Sequence, residues 1–231
     1  KPAKILQKME LILGIDDAGR GPVIGPMVLA GCLVDEEAEK ELRRLGVKDS
    51  KQLTQKRREF LEEQIKEKAE TFEVVRLSAD KIEMFSQKGV KLNEVEALMA
   101  AEIINRINKG YNKIKVVLDC PSPSREKWRD YLRTKIKNLS NLEIVCEHKA
   151  DRNHISVSAA SILAKCVREK EMDILRKKYG SEIGSGYSSD PATNEFLSRN
   201  LKKYDSDGIF RKTWKTWKNA AAELEQKKLE F

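Results

Sequence analysis

Apolar residues in this chain recur with two different periods, and the period changes several times along its length. Glu10 to Ile15 and Met27 to Val34 (MVLAGCLV) are short apolar runs that predict strands, joined by a Gly/Pro-rich segment unable to form a helix. From Thr54 to Glu70 the apolar positions Phe60, Leu61, Ile65 and Ala69 fall near helical spacing among charges, with Thr54 as the N-cap. FEVVRL, Phe72 to Leu77, returns to a β-branched strand pattern. Leu92 to Ile107 then reads as an amphipathic helix, Lys113 to Asp119 as a strand, Arg125 to Ile136 as a helix and Leu142 to Cys146 as a strand. His154 to Lys178 is a long helix whose Ser/Ala-rich first half, SVSAASILA, permits close approach to a sheet. Beyond Tyr179 comes a loop, GSEIGSGYSSDP, whose Asp190-Pro191 caps and begins another helix, and the tail is helical from Thr216. Strands alternating with helices indicate an α/β layer structure.

A length of 231 residues with 40% hydrophobic content suits one sizeable core with a small helical lobe. No apolar run approaches the ~18 residues of a membrane span and no signal-peptide pattern is visible, so a soluble, intracellular protein is expected. Lys1 to Lys8 precede Met9 without a hydrophobic period and read as a tail ahead of the start. Cys32, Cys120, Cys146 and Cys166 are widely spaced and only His148 and His154 could assist them, which argues against zinc and for small core residues. Forty-five Lys+Arg against 37 Asp+Glu leave a net charge of +8, which favours a polyanionic partner.

Three segments end an apolar strand in an acid: LILGIDD at Asp16 and Asp17, KVVLD at Asp119, and EIVCEHKAD at Asp151. The space beyond strand ends is where α/β sheets commonly bind ligands. Two bland readings stay open, Asp151 as a helix cap and Asp119 as a turn acid before Cys120-Pro121. Asp16 resists a bland reading, because a carboxylate at the end of a buried strand is expensive to desolvate unless it is paired or binds a cation. Asp17 points to the opposite face of an ideal strand, so both acids can serve one site only if the chain bends or the turn intervenes. Acids without His or Cys partners suit Mg²⁺ or Mn²⁺, and two such ions support in-line displacement at phosphorus.

Candidate substrate contacts lie in the nearby loops. Gly19-Arg20-Gly21 can bring backbone groups close to a ligand, including a ribose 2′-OH. Tyr187, in a loop, either packs half-buried or stacks on a sugar or base. Ser50 and Lys51, in Lys48-Asp49-Ser50-Lys51, suit a phosphate; His148 and Lys149, close in sequence to Asp151, are candidates for a substrate or leaving-group role, with His148 reading rather as structural.

Taken in order, GIDDAGRGPVIGP, KDSK, the strand ending in Asp119, EHKAD, SVSAASILAK, GSGYSSDP and KTWKT resemble type 2 ribonuclease H (ribonuclease HII), with an archaeal or eukaryotic-like character. The resemblance implies a ribonuclease H-like mixed five-stranded sheet flanked by helices, with residues 9–180 as catalytic domain and 181–231 as a C-terminal helical extension packed on it. It implies metal-dependent hydrolysis of the RNA strand of RNA/DNA hybrids and nicking of duplex DNA 5′ of embedded ribonucleotides, giving 3′-OH and 5′-phosphate ends. Asp16, Asp17, Asp119 and Asp151 would hold about two Mg²⁺ or Mn²⁺ ions. Gly19, Arg20 and Gly21 would read the 2′-OH, with Tyr187 stacking on the adjoining sugar. A monomer is expected, cytoplasmic, or nuclear in a eukaryote, with a sliding clamp as a partner suggested by the terminal Glu230-Phe231. One departure stands out: the family pattern is Asp-Glu-Ala-Gly-Arg-Gly, and Asp17 occupies the glutamate position. The lost methylene retracts the carboxylate by ~1.5 Å, a misplacement that can cost about a hundredfold in rate. An alternative is therefore a protein that binds hybrid duplexes with weakened or absent cleavage.

Overall fold

The computed structural model describes residues 10–48 and 53–229. Five strands, β1 Leu11–Ala18, β2 Met27–Val34, β3 Thr71–Leu77, β4 Ile114–Asp119 and β5 Leu142–Glu147, form one sheet in the order β3-β2-β1-β4-β5. β1 to β3 are antiparallel neighbours, whereas β1, β4 and β5 run parallel. The parallel pairs require crossovers, and helices supply them. The expected mixed five-stranded sheet is therefore present.

Both faces of the sheet are covered, which is why β2 is apolar at every position rather than alternating. On one face lie α3 (Ala79–Gln87), α4 (Leu92–Ile107) and α5 (Arg125–Arg133), packing Ile82, Val95, Ile103, Trp128 and Leu132 against Leu11, Leu13 and Ile15 of β1. On the other face lie α1 (Glu36–Arg44), α2 (Gln55–Lys68) and α7 (Ile155–Tyr179), through Leu42, Leu61, Ile65, Ala160 and Leu163. The SVSAASILA half of α7 crosses β1 so closely that a Cβ on Gly14 would sit 2.1 Å from the Ser156 backbone. Small residues on both elements bring this helix against the strand that carries the acids.

α1 and α3 lie outside the sequence expectation. α1 buries only Ala38 and Leu42 among charges, so its apolar period is too faint to read, although Asp35 caps it by accepting from Ala38 N at 2.7 Å. α3 follows Ser78 with a similarly short pattern. β1 also runs three residues beyond the expected end at Ile15, because Asp16, Asp17 and Ala18 stay paired with Ala30, Leu29 and Val28. The expected caps at Thr54 and Asp190 are present, accepting from Arg57 N and Ala192 N.

After α7 the chain makes a 3-10 turn at Ser181–Ile183, then α8 (Pro191–Asn200) and α9 (Lys215–Leu229). Phe196, Leu197, Ile209 and Phe210 from this segment close a third apolar cluster over Val23 and Ile24. The C-terminal segment thus packs directly on the loop between β1 and β2. No described helix is long and apolar enough to cross a membrane.

Candidate active site

Asp16 and Asp17 lie inside β1, Asp119 is the last residue of β4, and Asp151 sits in the short helix α6 (Ala150–Asn153). The last pairing of β1 with β4 is Ile15 with Leu118, so one further step along the parallel register sets Asp16 beside Asp119 where β4 ends. Beyond that point β1 has no β4 neighbour. The strand therefore needs no bend for its two acids to share a site. Asp16 faces the α7 side, where Ser161 hydrogen-bonds its carboxylate, and Asp17 faces the α4 side, where buried Glu96 lies. Both reach the same cleft around the open strand end, together with Asp119 and Asp151.

The two bland readings of the other acids are answered by geometry. Asp151 is buried within α6, and His154 stands at the N-cap of α7, so Asp151 is not the cap of that helix. Asp119 Oδ1 accepts from Ala150 N at 3.1 Å and also lines the cleft. That bond depends on Lys149, the only non-glycine with positive φ among the described residues, at φ 59 and ψ 38. A left-handed lysine is strained, and here it turns the β5 chain so that α6 presents Asp151 beside Asp119.

Burial, followed by the Asp17 and Asp119 charges, holds the Asp16 carboxyl well above the usual carboxylate range, although Ser161 pulls the other way. Asp17 is raised to about 6, by burial first, despite the nearby Arg20 and Lys165 cations and the Arg20 N–H donated to its carboxylate. Glu96 is raised to about 8, again by burial and then by Asp17. Carboxyls that are driven toward neutrality by one another fit a cation that would remove the repulsion. The donor set is all oxygen, as a hard divalent ion requires. Among the described residues no three acid, His or Cys side chains close into a finished metal cage.

The four thiols contribute nothing here. Burial raises Cys32, Cys146 and Cys166 to about 12 and also raises Cys120, so none of them is a ready thiolate.

The loop after the acids lines the same cleft of about 430 Å³, with Gly19, Arg20 and Gly21 on one side and Tyr187 on another. Gly19 has φ +81, and a Cβ there would lie 2.3 Å from Arg168 Nε. The Arg20 side chain is already committed: its Nε donates to Glu96 Oε2 at 2.8 Å and another guanidinium nitrogen donates to Asn93. Any reading of a ligand by this motif therefore falls to its backbone. Tyr187 is 39% exposed, with the Arg168 guanidinium 4.9 Å from its ring centroid.

Residues 13–217 match the family model described as Ribonuclease HII. The chain belongs to the ribonuclease HII family. It is 40% identical over 229 residues to the ribonuclease HII of Methanococcus vannielii, spanning 99% of this chain and 92% of that one. Among solved structures it is similar to the ribonuclease H2 of Pyrococcus horikoshii, with a TM-score of 0.82, 34% identity, and coverage of 93% and 99% of the two chains. It is also similar to the ribonuclease HII of Archaeoglobus fulgidus, solved in complex with PCNA, with a TM-score of 0.78, 38% identity, and coverage of 89% and 95%. Ribonuclease HII enzymes are divalent-metal-dependent endonucleases that cut the RNA strand of RNA/DNA hybrids, and this chain is such an endoribonuclease.

Within the family frame, the remaining expected contacts divide. Lys149 is exposed, two residues before Asp151, and is not among the residues that line the cleft. His148 points a ring nitrogen at Cys120 O, 3.1 Å away, as a structural histidine would. Ser50 and Lys51 lie outside the described residues, as does the terminal Glu230-Phe231. Sequence reading missed four groups that shape the site: Glu96, Ser161, Arg168 and Arg211. Arg211 is fully buried and donates four hydrogen bonds to the carbonyls of Gly19, Arg20 and Gly25. An arginine in a Lys/Arg-rich tail carries no sign of such burial; only its place two residues after apolar Ile209 and beside Phe210 hints at it.

Proposed function

We propose that this ribonuclease nicks duplex DNA on the 5′ side of an embedded ribonucleotide, leaving 3′-OH and 5′-phosphate ends, and cuts RNA/DNA hybrids by the same chemistry. The reading rests on one juxtaposition: the acids of β1, β4 and α6 share a cleft with the Gly19–Gly21 backbone and Tyr187. Asp16, Asp17, Asp119 and Asp151 are the residues that would hold Mg²⁺ or Mn²⁺, about two ions in all. When bound, the ions supply Lewis acidity to the attacking water and to the leaving 3′-oxygen.

The chain's own residues do the rest. Asp16 and Asp119, side by side at the strand ends, hold the reacting phosphate's surroundings acidic and oxygen-rich. Ser161 fixes Asp16, and Ala150 N–H fixes Asp119, so neither carboxylate must reorganise when the substrate arrives. The Gly19–Gly21 backbone reads the ribose 2′-OH, the only group distinguishing the ribonucleotide from its neighbours. Tyr187 stacks on the adjoining sugar, its ring backed by Arg168. Lys149 and Lys51 neutralise flanking phosphates, and Ser50 donates a hydrogen bond to one. A sliding clamp is proposed as partner on the strength of the relative solved with PCNA.

A DNA duplex carrying one ribonucleotide tests this directly. A Mg²⁺- or Mn²⁺-dependent nick on the 5′ side of the ribonucleotide, absent from an Asp16→Asn variant, is expected; cleavage restricted to long hybrids would restrict the function to those.

A further inference from the structure

The segment Ile209 to Trp214 runs as a strap beneath the Gly19–Gly25 loop. Phe210 makes an antiparallel bridge with Ile24, Gly25 N donates to Ile209 O at 3.0 Å, and Arg211 N donates to Val23 O at 2.8 Å. From this backbone the Arg211 side chain reaches into the loop. Its Nη1 donates to Arg20 O at 2.9 Å, its Nη2 to Gly19 O at 2.7 Å and Gly25 O at 2.9 Å, and its Nε to Gly25 O at 3.1 Å. Trp214 adds Nε1 to Gly21 O at 3.1 Å, beneath the stacked Arg211 guanidinium. Buried Glu83 of α3 anchors the strap from behind by accepting from Thr213 N at 3.1 Å and Thr213 Oγ1 at 2.8 Å. Every residue of Gly19-Arg20-Gly21 thus has its carbonyl held from the side away from the cleft.

Among the described residues all the acceptors of Arg211 are backbone carbonyls and none is a carboxylate, which is unusual for a fully buried guanidinium. It lies near buried Arg168, whose Nη2 donates to Ser185 O at 3.0 Å while its Nε has no hydrogen-bond partner. Such an arrangement is poor as a stabilising device. It is well suited to fixing flexible glycine backbone, because a planar fork with five donors sets the direction of several carbonyls at once, which an ammonium cannot do.

We infer that Arg211 is a positioning residue for ribose discrimination: its fork, with Trp214 Nε1, fixes the Gly19–Gly21 peptide planes that meet the 2′-OH. The inference rests on the reading of that loop as the ribose reader. It ties the C-terminal helical segment to substrate choice, not only to stability, since a loop misaligned by about 1 Å can lose roughly a hundredfold in rate.

The test uses the full chain with Arg211→Lys, Arg211→Met and Trp214→Phe. Three quantities are measured: amide hydrogen exchange of residues 18–26, thermal stability, and kcat/KM on a duplex with one ribonucleotide compared with its 2′-O-methyl counterpart and all-DNA duplex. Binding preference for the ribonucleotide duplex is measured in parallel in an Asp119→Asn background. Faster exchange in the loop, with the ribose preference reduced by roughly tenfold or more for Arg211→Met, is expected. Arg211→Lys keeps the charge and is expected to recover little of it. Trp214→Phe, which removes one donor and keeps the ring, is expected to lose a few-fold in the same direction and serves if the Arg211 variants do not fold. Full ribose preference in Arg211→Lys or Trp214→Phe despite a loosened loop overturns the inference and leaves the nuclease reading intact. An unmodified chain that shows no ribose preference in cleavage or binding overturns the loop reading itself, and the role of Arg211 with it.

Discussion

At the open ends of β1 and β4 the chain buries carboxylate beside carboxylate, while behind the Gly19–Gly25 loop it buries arginine near arginine. The two regions are alike in charge crowding and unlike in how the crowding is relieved. Arg211 is lowered to about 9 by burial and by Arg168, yet its donors are met by backbone carbonyls within the fold. Asp16 is raised by burial and by the Asp17 and Asp119 charges, and Asp17 by burial and by Asp119, while Ser161, two backbone N–H groups and the Arg20 and Lys165 cations offset this only in part. The Arg211 donors are met as folded, although Arg168 Nε has no hydrogen-bond partner. In the proposed function a divalent cation completes the acids, which is the difference between scaffold and reaction centre.

The largest effect expected from this contrast is on catalysis. Asp119→Asn should reduce hybrid cleavage by on the order of 10³-fold, the worth of several kcal/mol of charge stabilisation, while the melting temperature stays level or rises because a repulsive charge has gone. Next comes the arginine side: Arg211→Met should lower stability by about 3 kcal/mol in denaturant unfolding, since several buried carbonyls lose their donors at once. A drop of similar size for Asp119→Asn would erase the distinction between the two regions.

A third prediction concerns pH. Asp17 and Glu96 have folded pKa values near 6 and 8, above their ordinary 3.8 and 4.5. Between those limits the folded chain binds more protons than the unfolded chain, so stability must fall as pH rises from about 4 to 8. Metal-free protein should therefore melt several degrees lower at pH 8 than at pH 5, and saturating Mg²⁺ or Mn²⁺, about 2.7 kcal/mol at a hundred times Kd, should remove most of the difference. Asp17→Glu, which restores the family's side-chain length, should raise the Mg²⁺-supported rate by about tenfold; no gain would mean that the Arg20 N–H bond to Asp17 has already adapted the site to the shorter acid. Smallest is Lys149→Gly, which relieves a left-handed lysine and should stabilise by about 1 kcal/mol.

The acids were legible in the sequence because each ends an apolar run, and a charge in that position has few structural explanations. The sheet was legible for the same reason, since MVLAGCLV and KVVLD can only be buried. α1 and α3 were not, because two buried apolar residues per helix leave no readable period. The alternation of β1 correctly put Asp16 and Asp17 on opposite faces; what it could not show is that β4 stops at Asp119, so that both faces open onto one cleft. Arg211 and Arg168 were invisible because burial of an arginine depends on which carbonyls the fold brings to it, across 186 to 192 residues for Arg211. Glu96 was hidden because it shares the buried face of α4 with Met99, Ala100 and Ile103, where its pairing with Arg20 depends on the fold.

The central claim is that the acid cluster is a reaction centre awaiting divalent cations, and one titration tests it most directly: cleavage of an RNA/DNA hybrid against increasing Mg²⁺ or Mn²⁺, by the chain and by Asp119→Asn. Saturable, metal-dependent cleavage by the chain and its near-complete loss in the variant is the predicted result. Cleavage that persists in chelator, or that survives undiminished in Asp119→Asn, would contradict it.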